Sequence, residues 1–202
     1  MADSNINTEE KILKAAKAVF LKKGLDGARM QEIADEAGIN KSLLHYYFRT
    51  KENLFESVFI DAYQKVIPNI IELMSSELPL FKKIELFAIN YMNIFYENPY
   101  VPGFLLNEMN HNPGKIIDLV KSQGVDPRII IRQIADETEK GNIDPIEPYH
   151  LIVNMISLCI FPFVSAPILT SVIFEGNRER YASFMKAREQ EVPKFIINAI
   201  RK

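Results

Sequence analysis

Apolar residues recur at helical spacing along almost the whole chain, and no stretch alternates apolar and polar residues for long enough to predict a strand. Ile12, Leu13, Ala16, Val19 and Phe20 mark a first helix, which Lys22, Lys23 and Gly24 close. Residues 1 to 6 lack this periodicity and are expected to be disordered. Asn7 or Thr8 would then cap the helix, Asn7 standing at capping-box spacing from Glu10. Ile33, Ala34 and Ala37 put a narrow apolar stripe on a short second helix that Gly38 stops. Asn40 can cap a third, which Leu44 and Phe48 hold from the inside. Thr50 caps a long helix carrying Leu54, Phe55, Val58, Phe59, Ala62, Tyr63, Val66 and Ile67, until Pro68 kinks or interrupts it. Pro79 opens another, with Phe81, Ile84, Phe87, Ala88, Tyr91, Met92 and Phe95 inside and Asn98-Pro99 at its end. Further helices are predicted over Val101 to Asn110, Pro113 to Lys121 and Pro127 to Lys140. There is no internal repeat, low-complexity tract or flexible linker, so the fold class is all-α.

From Leu151 to Phe174 the chain carries no charge. At ~1.5 Å per residue such a stretch could cross a hydrocarbon core of about 30 Å. A membrane span is rejected on composition. Asn154, Ser157, Ser165, Thr170 and Ser171 dilute the stretch, Pro162 and Pro167 would each free backbone groups, and the nearest flanking charges, Glu147 and Glu175, are acidic. A helix apolar all round is otherwise one buried on all sides, and oligomerisation supplies that burial. The last helix, from about Arg178, has Tyr181, Phe184, Met185, Val192, Phe195, Ile196 and Ile200 at helical spacing, with Pro193 a predicted kink.

The chemistry is concentrated between Met30 and Lys51. Two short helices joined by Gly38 to Asn40 read as a helix-turn-helix, with Lys41, Ser42, His45 and Tyr46 on the outer face of the second. Between Ile39 and Lys51 the ionised groups are Lys41, Arg49 and Lys51, with His45 titratable beside them and no acid among them, as a surface pressed against phosphates requires. Ile33-Ala34, Ala37-Gly38-Ile39, Leu44, Tyr46-Tyr47-Phe48 and Lys51-Glu52-Asn53-Leu54-Phe55, preceded by Ile12 to Phe20, together resemble the TetR family of bacterial transcriptional regulators. The resemblance covers roughly the first quarter of the chain. Ser42, Leu43 and His45 stand where the family commonly has Gly, Thr and Tyr, which bears on base and phosphate contacts and not on the fold. Ala28 and Arg29 replace small hydroxyl residues at the start of the second helix, so a side-chain cap is expected to be missing there.

The resemblance implies a DNA-binding head at residues 1–50 and, joined to it by the long helix, a helical ligand-binding and dimerisation body at 51–202. It implies double-stranded operator DNA as partner, touched by Gln31, Lys41, Ser42, His45, Tyr46, Tyr47 and Lys51. Tyr46 faces outward as a phosphate contact, whereas Tyr47 can equally pack the head. Lys51 stands at a helix start, where the dipole disfavours a cation and an outside anion would relieve it. A homodimer is implied, with the two C-terminal helices of each subunit meeting across a twofold axis through Met155, Leu158, Tyr181, Phe184 and Phe195. A small apolar effector is implied in the body, contacted by Tyr91, Phe95, Phe104, Met109 and Asn154; the 13 Phe and eight Tyr suit an apolar cavity.

Composition constrains this reading only in part. The net charge of −2 says little by itself, and residues 1 to 58 hold nine Lys or Arg against nine Asp or Glu, so the head is neutral overall and basic only locally. A single cysteine, Cys159, excludes an internal disulfide framework and fits a reducing cytoplasm, and the polar N-terminus has no apolar core of a signal peptide. The rival reading is an enzyme. Glu108-x-x-His111 and Glu147-x-x-His150 have the spacing of di-metal carboxylate bundles, with Glu72, Glu85 or Glu97 as further ligands. Asn112-Pro113 after the first motif and Pro148 inside the second keep both from the middle of a helix, so no metal or other cofactor is expected.

Overall fold

The computed structural model describes residues 2–99 and 101–202, without the side chains of residues 2–7, 65 and 66. The expected Asn7 cap and the apolar role of Val66 lie outside the described residues. The chain forms two compact units, Met1–Lys65 with Asn98–Val101, and Val66–Glu97 with Pro102–Lys202.

The first unit contains α1 (Ala2–Gly27), α2 (Met30–Ala37), α3 (Lys41–Tyr47) and the N-terminal part of α4 (Lys51–Ser75). The first helix starts upstream of the expected caps, so Thr8 lies inside it; no Gly or Pro between residues 2 and 8 obliges a later start. Gly24, at φ 67° and ψ 177°, breaks α1 where the sequence predicts its end, and a last turn continues to Gly27. Packing follows the apolar stripes. Ile12, Ala16, Phe20, Ile33, Ala34, Leu44, Phe48, Leu54 and Phe55 are buried together, Phe20 and Phe55 meeting edge to face at 4.8 Å. Thr50 caps α4 as expected, its Oγ1 accepting from the Asn53 N–H at 3.1 Å. Pro68 does not end that helix, which runs to Ser75. Pro68 and Gln64, whose carbonyl loses its helical partner, are both exposed, so water can take the orphaned bond.

The second unit is built around α5 (Leu80–Glu97), which packs on α8 (Arg128–Glu139), α9 (Pro148–Val164) and α11 (Arg178–Ile200). The helices α6 (Val101–His111) and α7 (Pro113–Ser122) also fall where the sequence places them. Ile84, Ala88, Met92 and Phe95 of α5, Ile134 of α8, Leu151, Met155 and Cys159 of α9, and Met185, Val192, Ile196 and Ile200 of α11 form the core. Lys83 is 2% exposed, and its Nζ donates to the Met74 carbonyl at 2.7 Å. It thus satisfies one of the carbonyls that α4 leaves unpaired at its end, while burial lowers its pKa. Helix α11 continues through Pro193, whose ring is itself buried, so the predicted kink does not interrupt it.

The uncharged segment is not one rod. After α9 the chain bends by 60° into the short turn α10 (Ala166–Ile168) and a π-helical turn at Leu169–Ile173. Among the described residues no single helix is long and apolar enough to cross a membrane, although the bent pair together has the length and composition. Pro162 leaves the Leu158 carbonyl of α9 without its i+4 amide, and the Arg188 Nη2 of α11 fills that place at 2.6 Å.

The turn between α2 and α3 depends on Gly38, at φ 68° and ψ 31°. A Cβ there would meet nothing within 4 Å, so Gly38→Ala is disfavoured by backbone conformation alone. Gly38→Ala should lower stability by about 1–2 kcal/mol, read from urea unfolding of the whole chain; an unchanged midpoint would contradict the strained-turn assignment.

Candidate nucleic-acid interface and the helical body

The junction that aims α3 is built from backbone bonds and one side chain. Gly38 N–H donates to Asp35 O at 3.1 Å and Ile39 N–H to Ala34 O at 3.0 Å, the paired bonds of a Schellman stop. Two residues later the Asn40 Oδ1 accepts from the Leu43 N–H at 2.8 Å and starts α3. Leu44 is fully buried and Phe48, just past the helix, is 6% exposed, so the helix has one anchored side and one free side. Helix α2, by contrast, begins at Arg29 with no side-chain cap, as the sequence implies.

The free side carries the predicted contact residues. Lys41, Ser42, His45 and Tyr46 are exposed, Tyr46 at 78%, while Tyr47 is half-buried and meets Tyr46 edge to face at 5.5 Å. His45 Nδ1 lies 3.2 Å from the Arg49 carbonyl, leaving the other ring nitrogen free to point outward. Gln31 is exposed, but its Nε2 donates to Asp35 Oδ1 at 2.8 Å. Lys51 Nζ makes a long bond, 3.4 Å, to the Asp26 carbonyl at the end of α1, which partly offsets its position at a helix start. Glu32 of α2 is held by Lys23 at 2.8 Å, a bond that lowers the Glu32 pKa. Arg29 and Arg49 are exposed as well; both extend the basic surface that the sequence stripe alone does not delimit.

In the body the predicted pocket residues separate. Tyr91 and Phe95 meet edge to face at 5.1 Å, Phe95 lies 5.2 Å from Phe163, and Phe104 is half-buried. Met109 is 52% exposed and Asn154 is exposed on α9, so neither shares that aromatic interior. The sequence reading puts Asn154 inward because α9 is apolar on every side and its sequence gives no phase; Met109 stands among Asn107, Glu108, Asn110 and His111 at the polar end of α6. A separate cleft of 550 Å³ is lined by Ala166, Pro167, Thr170, Ser171, Arg178 and Tyr181.

The residues expected at a subunit interface also divide. Phe195 is 66% exposed, Leu158, Tyr181 and Phe184 are half-buried, and Met155 is 4% exposed, inside the core of its own chain. Met155 therefore belongs to the chain's own packing and cannot offer surface to a partner. Val153, Ile156 and Phe161 form the outward face of α9 instead, at 59%, 39% and 60% exposure. The residues of the metal motifs have other roles: Glu147 caps α9 by accepting from the His150 N–H, Glu108 accepts from Asn112 Nδ2, and His111 Nδ1 lies 2.9 Å from the Asn107 carbonyl. Among the described residues no three His, Cys, Asp or Glu come together. The Cys159 thiol is buried, and desolvation pushes its pKa up to about 12.

The pattern that defines "Bacterial regulatory proteins, tetR family" matches residues 12–58. Over nearly its full length the chain is similar to the "Probable HTH-type transcriptional regulator YttP" of Bacillus subtilis, 24% identical over 97% of this chain and 95% of that protein. Over 28% of this chain and 26% of the other it is 45% identical to the "HTH-type transcriptional repressor NicS" of Pseudomonas putida. Among solved structures, the transcriptional regulator FadR of Bacillus subtilis in complex with stearoyl-CoA superposes with a TM-score of 0.63 at 16% identity, covering 93% of this chain and 97% of that one.

The Asn40 cap gives this interface a direct test. Asn40→Ala should cost about 1 kcal/mol of stability, whereas Asn40→Asp, an equally good cap, should restore stability yet weaken DNA binding by placing a negative charge beside phosphates. Urea unfolding and duplex titration on the same preparations would show it, and equal DNA affinity for Asn40→Asp and wild type would contradict the placement.

Proposed function

We propose that the chain is a TetR-family helix-turn-helix transcriptional regulator, a homodimeric repressor which a small, largely apolar effector releases from operator DNA. The observation that carries this reading is the α3 face: Lys41, Ser42, His45 and Tyr46 exposed, no carboxylate among them, and the helix fixed at its start by Gly38 and Asn40. With α3 in a major groove, Lys41 and His45 reach base edges. Tyr46, Lys51 and the uncapped start of α2 beside Arg29 hold phosphates; a phosphate oxygen can replace the weak Asp26 carbonyl on Lys51.

Dimerisation follows from what α9 and α11 leave uncovered. Val153, Ile156, Phe161 and Phe195 present large apolar side chains to solvent, more than scattered surface residues require, and a twofold partner removes them from water. The effector is read into the body, where Tyr91, Phe95 and Phe163 gather; the acyl chain of the stearoyl-CoA in the FadR complex supports a ligand with an apolar part. The switch couples the two sites by changing the separation of the two recognition helices, which DNA fixes at roughly 34–36 Å or a multiple. About 1–3 kcal/mol of coupling is enough to lower operator affinity roughly 5–150-fold. Such a regulator works in the cytoplasm, where its DNA is.

Two pairs of variants test the reading. Lys51→Ala should weaken binding to all duplexes and lower the salt slope by about one, while Lys41→Ala should also relax sequence preference, as read by fluorescence anisotropy across salt concentrations. Identical behaviour of the two would contradict the assigned roles. Phe195→Asp should give folded monomers with weak operator binding, whereas Met155→Asp should unfold the body, since an isolated charge cannot be buried in that core. Light scattering and circular dichroism separate these outcomes, and a folded, dimeric Phe195→Asp protein would contradict the proposed interface.

A further inference from the structure

Among the described residues, Arg188 is a half-buried cation of the body for which no carboxylate partner is found. Arg188 is half-buried between α9 and α11, one Nη2 bond to the Leu158 carbonyl at 2.6 Å holds it, and its Nε is buried with no hydrogen-bond partner. Its guanidinium lies 5.4 Å from the Phe184 ring centroid, and its charge acts on Tyr96, Tyr181 and Cys159, but no carboxylate answers it. The neighbouring Glu189 is taken by Lys186, at 2.9 and 3.0 Å. The two phenols cannot neutralise it either, because the Tyr181 hydroxyl donates to the Pro162 carbonyl at 2.8 Å and the Tyr96 hydroxyl donates to the Met185 carbonyl. Desolvation lowers the Arg188 pKa and raises that of Tyr96 to about 12. A guanidinium with a buried, unused N–H is costly unless something pairs with it.

We infer that Arg188 is the anion-binding residue of the effector site and that the effector carries a carboxylate on an apolar body, the carboxylate taking the unpaired Nε side of the guanidinium. The cleft lined in part by Tyr181 lies toward the start of α11, Tyr181 standing seven residues, or ~10 Å, along the helix from Arg188, and in this proposal the ligand enters from that side. The aromatic rings of Tyr96, Phe163 and Phe184 provide the apolar walls. The Leu158 bond explains how Arg188 is held; it leaves the rest of the fork free, since a guanidinium has five N–H donors. This inference rests on the ligand-responsive reading above and narrows it to an acid.

A merely structural Arg188 would exist to fill the carbonyl that Pro162 orphans. That role can be removed separately, because Pro162→Ala returns the missing amide to α9. Wild type, Pro162→Ala, Arg188→Met and the double variant Pro162→Ala/Arg188→Met are titrated calorimetrically with decanoate and benzoate, each against its neutral alcohol, decanol or benzyl alcohol. The same samples are assayed for operator binding without any probe. We expect at least one acid to bind wild type and Pro162→Ala saturably and its alcohol to bind at least tenfold more weakly. The double variant should fold, bind operator as wild type does, and lose roughly 10–100-fold in affinity for the acid. Binding of neither acid to wild type, binding by acid and alcohol alike, or unchanged acid binding in the double variant would overturn the inference, as would failure of the double variant to fold. Absence of operator binding by wild type would instead overturn the regulator reading, so the two failures are distinct.

Discussion

Helices of eight and seven residues are too short to hold a fixed mutual angle by their own hydrogen bonds, so the angle between α2 and α3 must come from the junction. Gly38 supplies a left-handed residue that closes α2 with two backbone bonds, and Asn40 restarts the chain with one side-chain bond. Leu44 and Phe48 then pull one side of α3 into the core of the first unit, which turns Lys41, Ser42, His45 and Tyr46 outward. What the protein can recognise depends on this constraint. The proposed contact residues are ordinary polar side chains, and it is the rigid presentation of all four on one face that would make them a reading surface.

The second unit rests on a different constraint, the burial of an uncharged segment. Helix α9 covers one side of itself with α5 and α11 and leaves Val153, Ile156 and Phe161 outside. The same helix carries Pro162, which could not stand in a buried helix without a donor for the Leu158 carbonyl, and α11 brings Arg188 to that place. A cation enters the interior to repair a backbone defect and arrives without an anion of its own. The uncovered apolar exterior and the cation without a carboxylate partner thus arise on one helix pair.

The parts legible in the sequence are those decided within a few residues. Asn40 and Thr50 accept from amides three positions on, Gly38 donates to a carbonyl three positions back, and the stripe of Ile33, Ala34 and Leu44 has a clear phase, so the head can be read almost residue by residue. In α9 the phase is missing, since an all-apolar helix looks the same from every side; the sequence reading puts Met155 at the surface and Asn154 inside, and the structure reverses both. The helix α1 starts at Ala2, ahead of the capping spacing at Asn7, because nothing between residues 2 and 8 prevents a helix. Arg188 gave no local signal either. Its burial depends on a proline 26 positions earlier on another helix, a coupling that appears only once the helices are packed.

The central claim is that the outward side of α3 is the surface that meets DNA. The direct measurement is side-chain and amide chemical-shift mapping of the isotope-labelled protein, with and without a duplex from its own genomic surroundings, at low salt. The largest changes should fall on Lys41, Ser42, His45, Tyr46 and Lys51, with smaller ones at Arg29 and none at the buried Leu44 beyond what its neighbours impose. Saturable DNA binding that leaves this face unperturbed, or changes confined to α9 and α11, would contradict the account.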